Sequence, residues 1–181
     1  MSILELSECE VGKLITHATI MGKLIPETSE DYMKLVRLAW GFRRVVNLMV
    51  REVVNGTLMK DATKKLHHIL PNYIYLESAY KHAKLIADGC KFNKGSPKHV
   101  HVKKLFIISR DNKWERGNRK IKLIPREEYF EVLVKYPWDS SWIKAEALFG
   151  RKYIPMLKEL IELCERREEG YCARITFKTK D

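Results

Sequence analysis

The stretch that decides the fold is His17-Ala-Thr-Ile-Met-Gly-Lys-Leu-Ile25, which Pro26 follows. Its residues are mostly apolar or β-branched, which is typical of a β-strand, and proline ends a strand because it has no backbone N–H to donate. A long helix is predicted from Thr28 to about Val54, because apolar residues recur there at helical spacing. Thr28 and Asp31 have the spacing of a capping box. The sequence therefore predicts a strand that leads directly into a helical block.

Two further helices are predicted before the periodicity changes. Asn55-Gly56 ends the first helix, because both residues tolerate positive φ. Thr57 is predicted to cap a short second helix, and Pro71-Asn72 to open a third that ends near Phe92. Residues 93–99 are rich in glycine, proline and asparagine and are predicted to form a loop.

Beyond this loop the apolar pattern has a period of two, which is typical of strands. Strands are predicted at residues 100–109, 119–124, 129–136 and 171–178, with a helix at 153–167 before the last strand. The predicted class is α+β: a β-sheet or β-barrel with a helical insertion after its first strand. We expect a β domain of residues 17–26 and 100–181, which includes the C-terminal helix, and a helical insertion of residues 27–99.

The positive charge is concentrated in one part of the chain. The 181 residues carry a net charge of +11, and the segment from Lys81 to Arg126 holds 14 basic against three acidic residues, an excess equal to the whole net charge. Phe92, Phe106 and Trp114 lie within this segment. Such a pattern is typical of nucleic-acid binding, and a solvated charged surface is the alternative. We therefore expect RNA or DNA as the partner.

Several other classes of protein are disfavoured. The segment Met1–Gly12 has three glutamates and no basic residue, unlike a signal or transit peptide. The apolar runs are too short to cross a bilayer, so no membrane partner is expected. The four cysteines are widely spread and form no Cys-x-x-Cys pair, which indicates a reducing cytoplasm. The absence of glutamine beside abundant lysine, arginine and glutamate is typical of thermophilic proteins.

Motifs for catalysis or metal binding are not evident. His67-His68 and His99-x-His101 are the histidine clusters, and no cysteine pair has zinc-finger spacing, so we expect no metal and no cofactor. His99 and His101, which have Lys98 and Lys103 as neighbours, are instead predicted to border a phosphate-contacting surface. The sequence has no nucleophile elbow, Walker loop or marked trio of carboxylates. We therefore predict that this chain alone is not an enzyme.

The tryptophans allow two interpretations. Trp114, Trp138 and Trp142 fall in predicted loops, where tryptophan either covers the core or stacks on bases. Trp40, on the first long helix, is assigned to packing.

The order of several motifs resembles a known family. Leu70-Pro-Asn-Tyr-Ile-Tyr75, Lys94-Gly-Ser-Pro-Lys98, Lys104-Leu-Phe-Ile-Ile108 and Gly170-Tyr-Cys-Ala-Arg-Ile175 follow one another with spacings that resemble TnpB proteins. These are transposon-encoded, RNA-guided nucleases related to type V CRISPR effectors, and the archaeal members are the most similar. The resemblance extends from about His17 to the end of the chain. Each motif is degenerate, so their order and spacing carry the resemblance.

The resemblance implies a specific architecture. In TnpB proteins a wedge β-barrel is interrupted after its first strand by a helical recognition domain. Together these parts hold the guide RNA and the guide–target duplex, and they contact a short DNA motif beside the target. A RuvC nuclease domain with three carboxylates and a zinc ribbon then follows. This sequence contains neither, and no catalytic role is carried over to Asp181. The chain is therefore expected to correspond to the wedge and recognition part.

The leading hypothesis is a non-catalytic module that binds nucleic acid, with RNA preferred because of the resemblance. One alternative is a DNA-binding regulator whose helices dock in a groove. Another is an interaction subunit that completes a separately encoded nuclease, with residues 171–178 as an unpaired sheet edge. Phosphate contacts are predicted for Arg43, Arg44, Arg51, Lys60, Lys64, Lys81, Lys84, Lys91, Lys94, Lys98, Lys103, Arg116, Arg119 and Lys120.

Overall fold

The computed structural model describes residues 2–8 and 19–178, in which helices pack around an antiparallel sheet. The strands in these residues are β1 (Ser2–Glu8), β2 (Thr19–Pro26), β3 (Phe106–Ser109), β4 (Asp111–Asn112), β5 (Gly117–Asn118), β6 (Ile121–Pro125), β7 (Phe130–Lys135), β8 (Trp142–Phe149) and β9 (Tyr171–Phe177). The α-helices are α1 (Ser29–Val54), α2 (Met59–Leu66), α3 (Tyr73–Phe92) and α4 (Ile154–Glu165). Three short 3₁₀ turns cover Pro97–His99, Lys113–Glu115 and Arg151–Tyr153.

Seven strands form one sheet in the order β3-β9-β1-β2-β8-β7-β6, and every neighbouring pair is antiparallel. Within the described residues no ladder joins the edge strands β3 and β6, so the sheet is open and no barrel closes. Side chains bridge the gap instead. The hydroxyl of Tyr171 in β9 donates to the Ile121 carbonyl at 3.0 Å and accepts from the Leu123 amide at 2.9 Å, both in β6. The predicted α+β class is confirmed, with a curved open sheet as its β part.

The helical block α1–α3 lies between β2 and β3 along the chain. The strand predicted at 17–26 is confirmed as β2, although residues 17 and 18 lie outside the described residues. β1 precedes it and pairs with β2 and β9, so the sheet includes a strand outside the predicted ranges. The rings of Phe42 in α1 and Phe106 in β3 lie 5.5 Å apart within one hydrophobic core. The division into two domains stays a prediction.

Local capping explains where α1 begins and ends. The Thr28 hydroxyl accepts a hydrogen bond from the Asp31 amide at 3.1 Å, as predicted. Gly56 follows the helix with φ of 76°, which glycine adopts without strain. The predicted cap of the second helix is wrong, because Leu58 occupies the N-cap position of α2. The Thr57 hydroxyl instead donates to the carboxylate of the buried Glu52 at 2.9 Å.

The strand predicted at 100–109 is shorter in the structure and begins only at Phe106. The preceding segment is held by a side chain of α1 instead of a neighbouring strand. The Asn47 amide donates to the Val102 carbonyl at 3.1 Å and accepts from the Val102 amide at 2.7 Å. Because both backbone groups of Val102 are satisfied in this way, the segment needs no ladder.

The last strand is interior to the sheet. β9 pairs with β3 on one side and with β1 on the other. The prediction that residues 171–178 form an unpaired edge is therefore wrong. Because both ladders of β9 are occupied within the chain, this strand has no edge that could pair with another subunit.

A histidine lies at the junction between α3 and the sheet. The ring of His82 in α3 packs edge-on against Phe106 of β3, with 5.2 Å between ring centres. Burial, together with the positive charges of Arg174 and Arg110, lowers the pKa of His82 to about 4. The folded protein therefore keeps this imidazole neutral at pH values at which an exposed histidine takes up a proton.

This environment makes stability depend on pH. As the pH falls from about 6.5 to about 4, His82 takes up a proton in unfolded chains but not in folded ones. This proton uptake stabilises the unfolded state, so the free energy of unfolding decreases. In phosphate-free buffer, His82→Gln is expected to reduce this acid-induced loss by about 1–2 kcal/mol, a figure that allows for the partial exposure of the ring. Urea unfolding at several pH values measures it. The exposed His68→Gln serves as the control, and equal pH profiles for the wild type and His82→Gln would contradict the expectation.

Candidate nucleic-acid interface

One face of α1 is exposed and carries basic and aromatic side chains. Arg37, Trp40, Arg44 and Arg51 are three, four and seven residues apart, which places them on the same side of the helix. The buried residues of α1, such as Phe42, lie on the opposite side. The helix is therefore amphipathic, with one face in the core and the other available to a partner.

Other parts of the chain turn this face into a groove of about 550 Å³. Ile69 after α2, His101 before β3 and Trp138 between β7 and β8 form its walls beside α1. Gly41 permits this arrangement, because a Cβ at this position would lie 3.0 Å from the Trp138 ring. Any larger residue at position 41 of α1 would require the Trp138 ring to shift by a few tenths of an ångström.

The groove is held in shape by stacked arginines. The guanidinium of Arg43 lies 4.1 Å from the ring centre of Trp40, and its Nη1 donates to the Lys103 carbonyl at 2.7 Å. The guanidinium of Arg37 lies 5.2 Å from the ring centre of Trp138. The assignment of Trp40 to packing is wrong, because 53% of this side chain is exposed. Each tryptophan of the groove thus has an arginine guanidinium close to its ring.

The basic side chains of the groove have no acidic partner in the part of the chain that the structure describes. Among the residues that the structure describes, no carboxylate lies within ion-pairing distance of Arg37, Arg43, Arg44 or Arg51. A guanidinium can bind phosphate oxygens through two parallel hydrogen bonds and can also stack on a base. Tryptophan provides a further surface on which bases stack. The groove can therefore contact both the phosphates and the bases of a nucleic acid.

The other predicted residues of the helical block and of the segment after it are exposed lysines. The chain between α3 and β3 contacts α1 through the 3₁₀ turn Pro97–His99 and through the carbonyl of Lys103. It therefore extends the basic surface from the groove towards α3. The exposed lysines are Lys60 and Lys64 in α2, Lys81, Lys84 and Lys91 in α3, and Lys94, Lys98 and Lys103 in the segment after α3.

Two of the predicted arginines lie at the hairpin of β4 and β5 and already have acidic partners. Arg116 pairs with Glu165 of α4 at 3.5 Å, and Arg119 pairs with Glu115 at 3.0 Å. Neither arginine lines the α1 groove. A nucleic acid would have to compete with these carboxylates for both side chains.

The remaining predicted residue, Lys120, belongs to a separate basic group on the sheet. Burial lowers the pKa of Lys120, and the neighbouring charges of Lys135, Arg119 and Lys122 act in the same direction. Lys135 and Lys122 lie 4.7 Å and 5.9 Å from the ring centre of Trp142, which is part of β8 and not of a loop. This group does not line the α1 groove and forms a second basic surface.

Sequence reasoning missed Arg37, and it left open whether Trp138 covers the core or stacks on bases. The helical spacing of Arg37, Trp40 and Arg44 was a usable signal, because it places Arg37 on the same face as a predicted site residue. Trp138 had no local signal, since tertiary packing alone brings it to α1. His101 does line the groove, beside the predicted Lys103.

The described residues include no group of three or more histidine, cysteine, aspartate or glutamate side chains placed to hold a metal ion. In the same part of the chain, no helix is long and apolar enough to cross a membrane.

The fold and the groove define an α+β module with a basic, tryptophan-lined groove on its helical block. The chain belongs to the SSO2105 N-terminal domain family, whose model matches residues 17–181. It is 39% identical over 165 residues to the archaeal "Uncharacterized protein SSO2105" of Saccharolobus solfataricus. The match covers 90% of this chain and 44% of that relative, so the chain spans less than half of the relative's length. No solved structure gives a significant match.

Proposed function

We propose that this chain is a non-catalytic nucleic-acid-binding module and that structured RNA is its ligand. The observation that carries the proposal is the α1 groove, which two tryptophans also line and in which four arginines lie without an acidic partner among the described residues: Arg37, Arg43, Arg44 and Arg51. Phosphate contacts from the arginines provide affinity, and stacking at the tryptophans favours unpaired bases over a fully paired duplex.

The exposed lysines of the helical block and of the segment after α3 support the same proposal. They extend the positive surface along α3 and the segment after it, where all the predicted lysines are exposed. A basic surface of this extent attracts a long polyanion more strongly than a small anion, because each neutralised phosphate releases counterions. We therefore expect the module to bind the phosphate backbone of the nucleic acid beyond the groove as well as within it.

We also propose a relation in architecture to the guide-RNA-binding part of TnpB proteins. The helical block lies between two strands of the sheet, as the resemblance implies, but it follows the second described strand, β2, and the sheet is open where the resemblance implies a barrel interrupted after its first strand. The family match itself is to the SSO2105 N-terminal domain family, so this finer proposal rests on the motifs quoted from the sequence. In a longer family member, such a module would present RNA to the rest of the protein.

Binding to a structured RNA and to a DNA duplex of equal length, measured by fluorescence anisotropy across a salt series, tests the proposal. We expect RNA to bind at least about tenfold more tightly than the duplex at physiological salt, because stacking of unpaired bases adds to the affinity that the phosphate contacts provide. Equal, weak binding that vanishes as salt rises would contradict it. Tighter, sequence-selective binding of duplex DNA would instead favour a DNA-binding regulator.

A further inference from the structure

The face of the sheet that points away from the core carries uncovered apolar side chains. Along β2 and β8 buried and exposed residues alternate, and the buried ones belong to the core that α1 shares. On the opposite face, which we call the outer sheet face, three large apolar residues are 38–53% exposed: Met21, Ile25 and Leu148. Ile124 of β6 and Leu133 of β7 are half-buried on the same face. Uncovered apolar side chains that lie together are typical of a contact surface.

The strand register makes these side chains neighbours. Ile25 of β2 pairs with Glu146 of β8, and Leu148 lies two residues further along β8. On the other side of β8, Leu133 of β7 pairs with Lys144. The outer sheet face is therefore one continuous surface across β2, β8 and β7, in which apolar and charged side chains alternate.

The charged side chains of the outer sheet face form two adjacent rows of opposite sign. In one row, Lys144 of β8 and Lys122 of β6 lie on either side of Leu133. In the next row, Glu146 of β8 and Glu131 of β7 lie directly opposite each other. Like charges that face each other across a ladder are unfavourable. A cation brought to the second row would relieve this repulsion.

Only one of these four charges has an ion-pair partner among the described residues, since Arg126 pairs with Glu131. In the same part of the chain, no basic side chain lies within ion-pairing distance of Glu146, and no acidic one lies within that distance of Lys144. This holds even for Glu27, whose amide donates to the Lys144 carbonyl at 3.0 Å. The face therefore suits a partner that brings a cation to Glu146 and an anion to Lys144.

We propose that the outer sheet face binds the same face of a second copy of this chain. A two-fold axis that runs across the strands, between the two charged rows, places Lys144 of each copy opposite Glu146 of the other. The exposed apolar side chains of the two copies then cover one another, as in the face-to-face packing of two sheets. A nucleic acid fits this face less well, because its phosphates would meet Glu27, Glu131 and Glu146.

The proposed dimer leaves the α1 groove free. None of the residues that line the groove belongs to the outer sheet face. The two surfaces are therefore tested separately, and the proposal does not depend on RNA binding.

The size of the face sets the expected affinity. Each of β2 and β8 has eight residues. Their length is about 26 Å, and four strands about 4.8 Å apart give a width of about 19 Å. The resulting footprint of about 500 Å² is smaller than the roughly 800 Å² per partner of a standard interface. We therefore expect a reversible dimer with a Kd of about 10–100 µM.

Analytical ultracentrifugation of the full chain, from about 5 to 500 µM, tests the proposal. Nuclease treatment and a high-salt wash first remove nucleic acid that could bridge two basic proteins. The average mass is expected to rise with concentration from the 21.3 kDa of the monomer towards twice that value. A chain that stays monomeric over the whole range would overturn the proposal, as would association that disappears with the nucleic acid.

Charge reversal identifies the surface. Lys144→Glu and Glu146→Lys each place like charges opposite each other in the dimer, so each variant alone is expected to associate at least about tenfold more weakly. An equimolar mixture of the two variants should recover the association, because one variant is then acidic and the other basic at both positions. Both residues are exposed, so neither substitution removes a buried contact.

The matched control is Lys84→Glu, which makes the same change of charge at an exposed position of α3. It is expected to leave the dimer affinity within about threefold of the wild type, because distant surface charges are screened. Association that neither single variant weakens would overturn the proposal. A mixture that stays monomeric while the wild type associates would also overturn it, since the two rows would then not face each other.

Discussion

Replacing Arg44 and Arg51 together with glutamine is expected to weaken RNA binding by about 10- to 100-fold at physiological salt. Both side chains are exposed in the α1 groove and have no carboxylate partner among the described residues, so their positive charges are available to phosphates. Removing an arginine that binds a phosphate removes counterion release as well as hydrogen bonds. The slope of log affinity against log salt should therefore fall by about 0.7–0.9 for each phosphate that the variant no longer neutralises.

The matched control removes two charges on another part of the surface. Arg151→Gln with Lys158→Gln changes the net charge equally at exposed positions of the 3₁₀ turn and of α4. This control is expected to change RNA affinity by less than about threefold, because long-range charge effects are screened at physiological salt. Anisotropy titrations of both double variants give the comparison. Equal losses of affinity would show that only net charge matters and would contradict a defined interface.

Asn118→Ala is expected to lower the free energy of unfolding by about 3–5 kcal/mol, because five backbone groups lose a hydrogen-bond partner at a buried position. The Asn118 side chain is fully buried. Its Oδ1 accepts from the amides of Lys120 and Ile121 at 3.0 and 2.9 Å. Its Nδ2 donates to the carbonyls of Ser109, Arg110 and Tyr171 at 2.9–3.1 Å. One side chain thus connects β6 to β3 and β9, to which no ladder joins it among the described residues.

Thermal unfolding measures this effect. We expect the melting temperature of Asn118→Ala to fall by about 10 °C, given the usual conversion for a domain of this size. Asn93→Ala is the control, because its exposed side chain donates only to the Gly89 carbonyl at the end of α3. That variant should lose less than about 1 kcal/mol. Melting temperatures within about 2 °C of each other would show that Asn118 does not hold the sheet together.

The helical block could be predicted from the sequence because its signals are local. Thr28 and Asn55-Gly56 mark the ends of α1 through side-chain and backbone preferences of those residues alone. β8 could not be predicted in this way, since its central residues Lys144 to Ala147 are good helix formers. Pairing with β2 and β7 makes this segment a strand. Here tertiary structure overrides propensity.

The candidate site likewise contains some residues that could be predicted from the sequence and others that could not. Arg43, Arg44 and Arg51 could be predicted because they combine charge with helical spacing. That the residues just before Phe106 form no strand could not be predicted, because it depends on hydrogen bonds between Val102 and Asn47 of a helix distant in sequence. The same long-range packing brings His101 and Trp138 to α1. Sequence therefore indicates which residues are basic, and packing determines which of them form a groove.

Photo-crosslinking tests most directly whether RNA lies in the α1 groove. A structured RNA that contains 4-thiouridine is irradiated in complex with the full chain, and the crosslinked peptides are identified by mass spectrometry. The account predicts that crosslinks concentrate in the peptides with Trp40 and His101, which both line the groove. Crosslinks concentrated in α4 or in the hairpin of β4 and β5, with none in these peptides, would contradict the proposed interface.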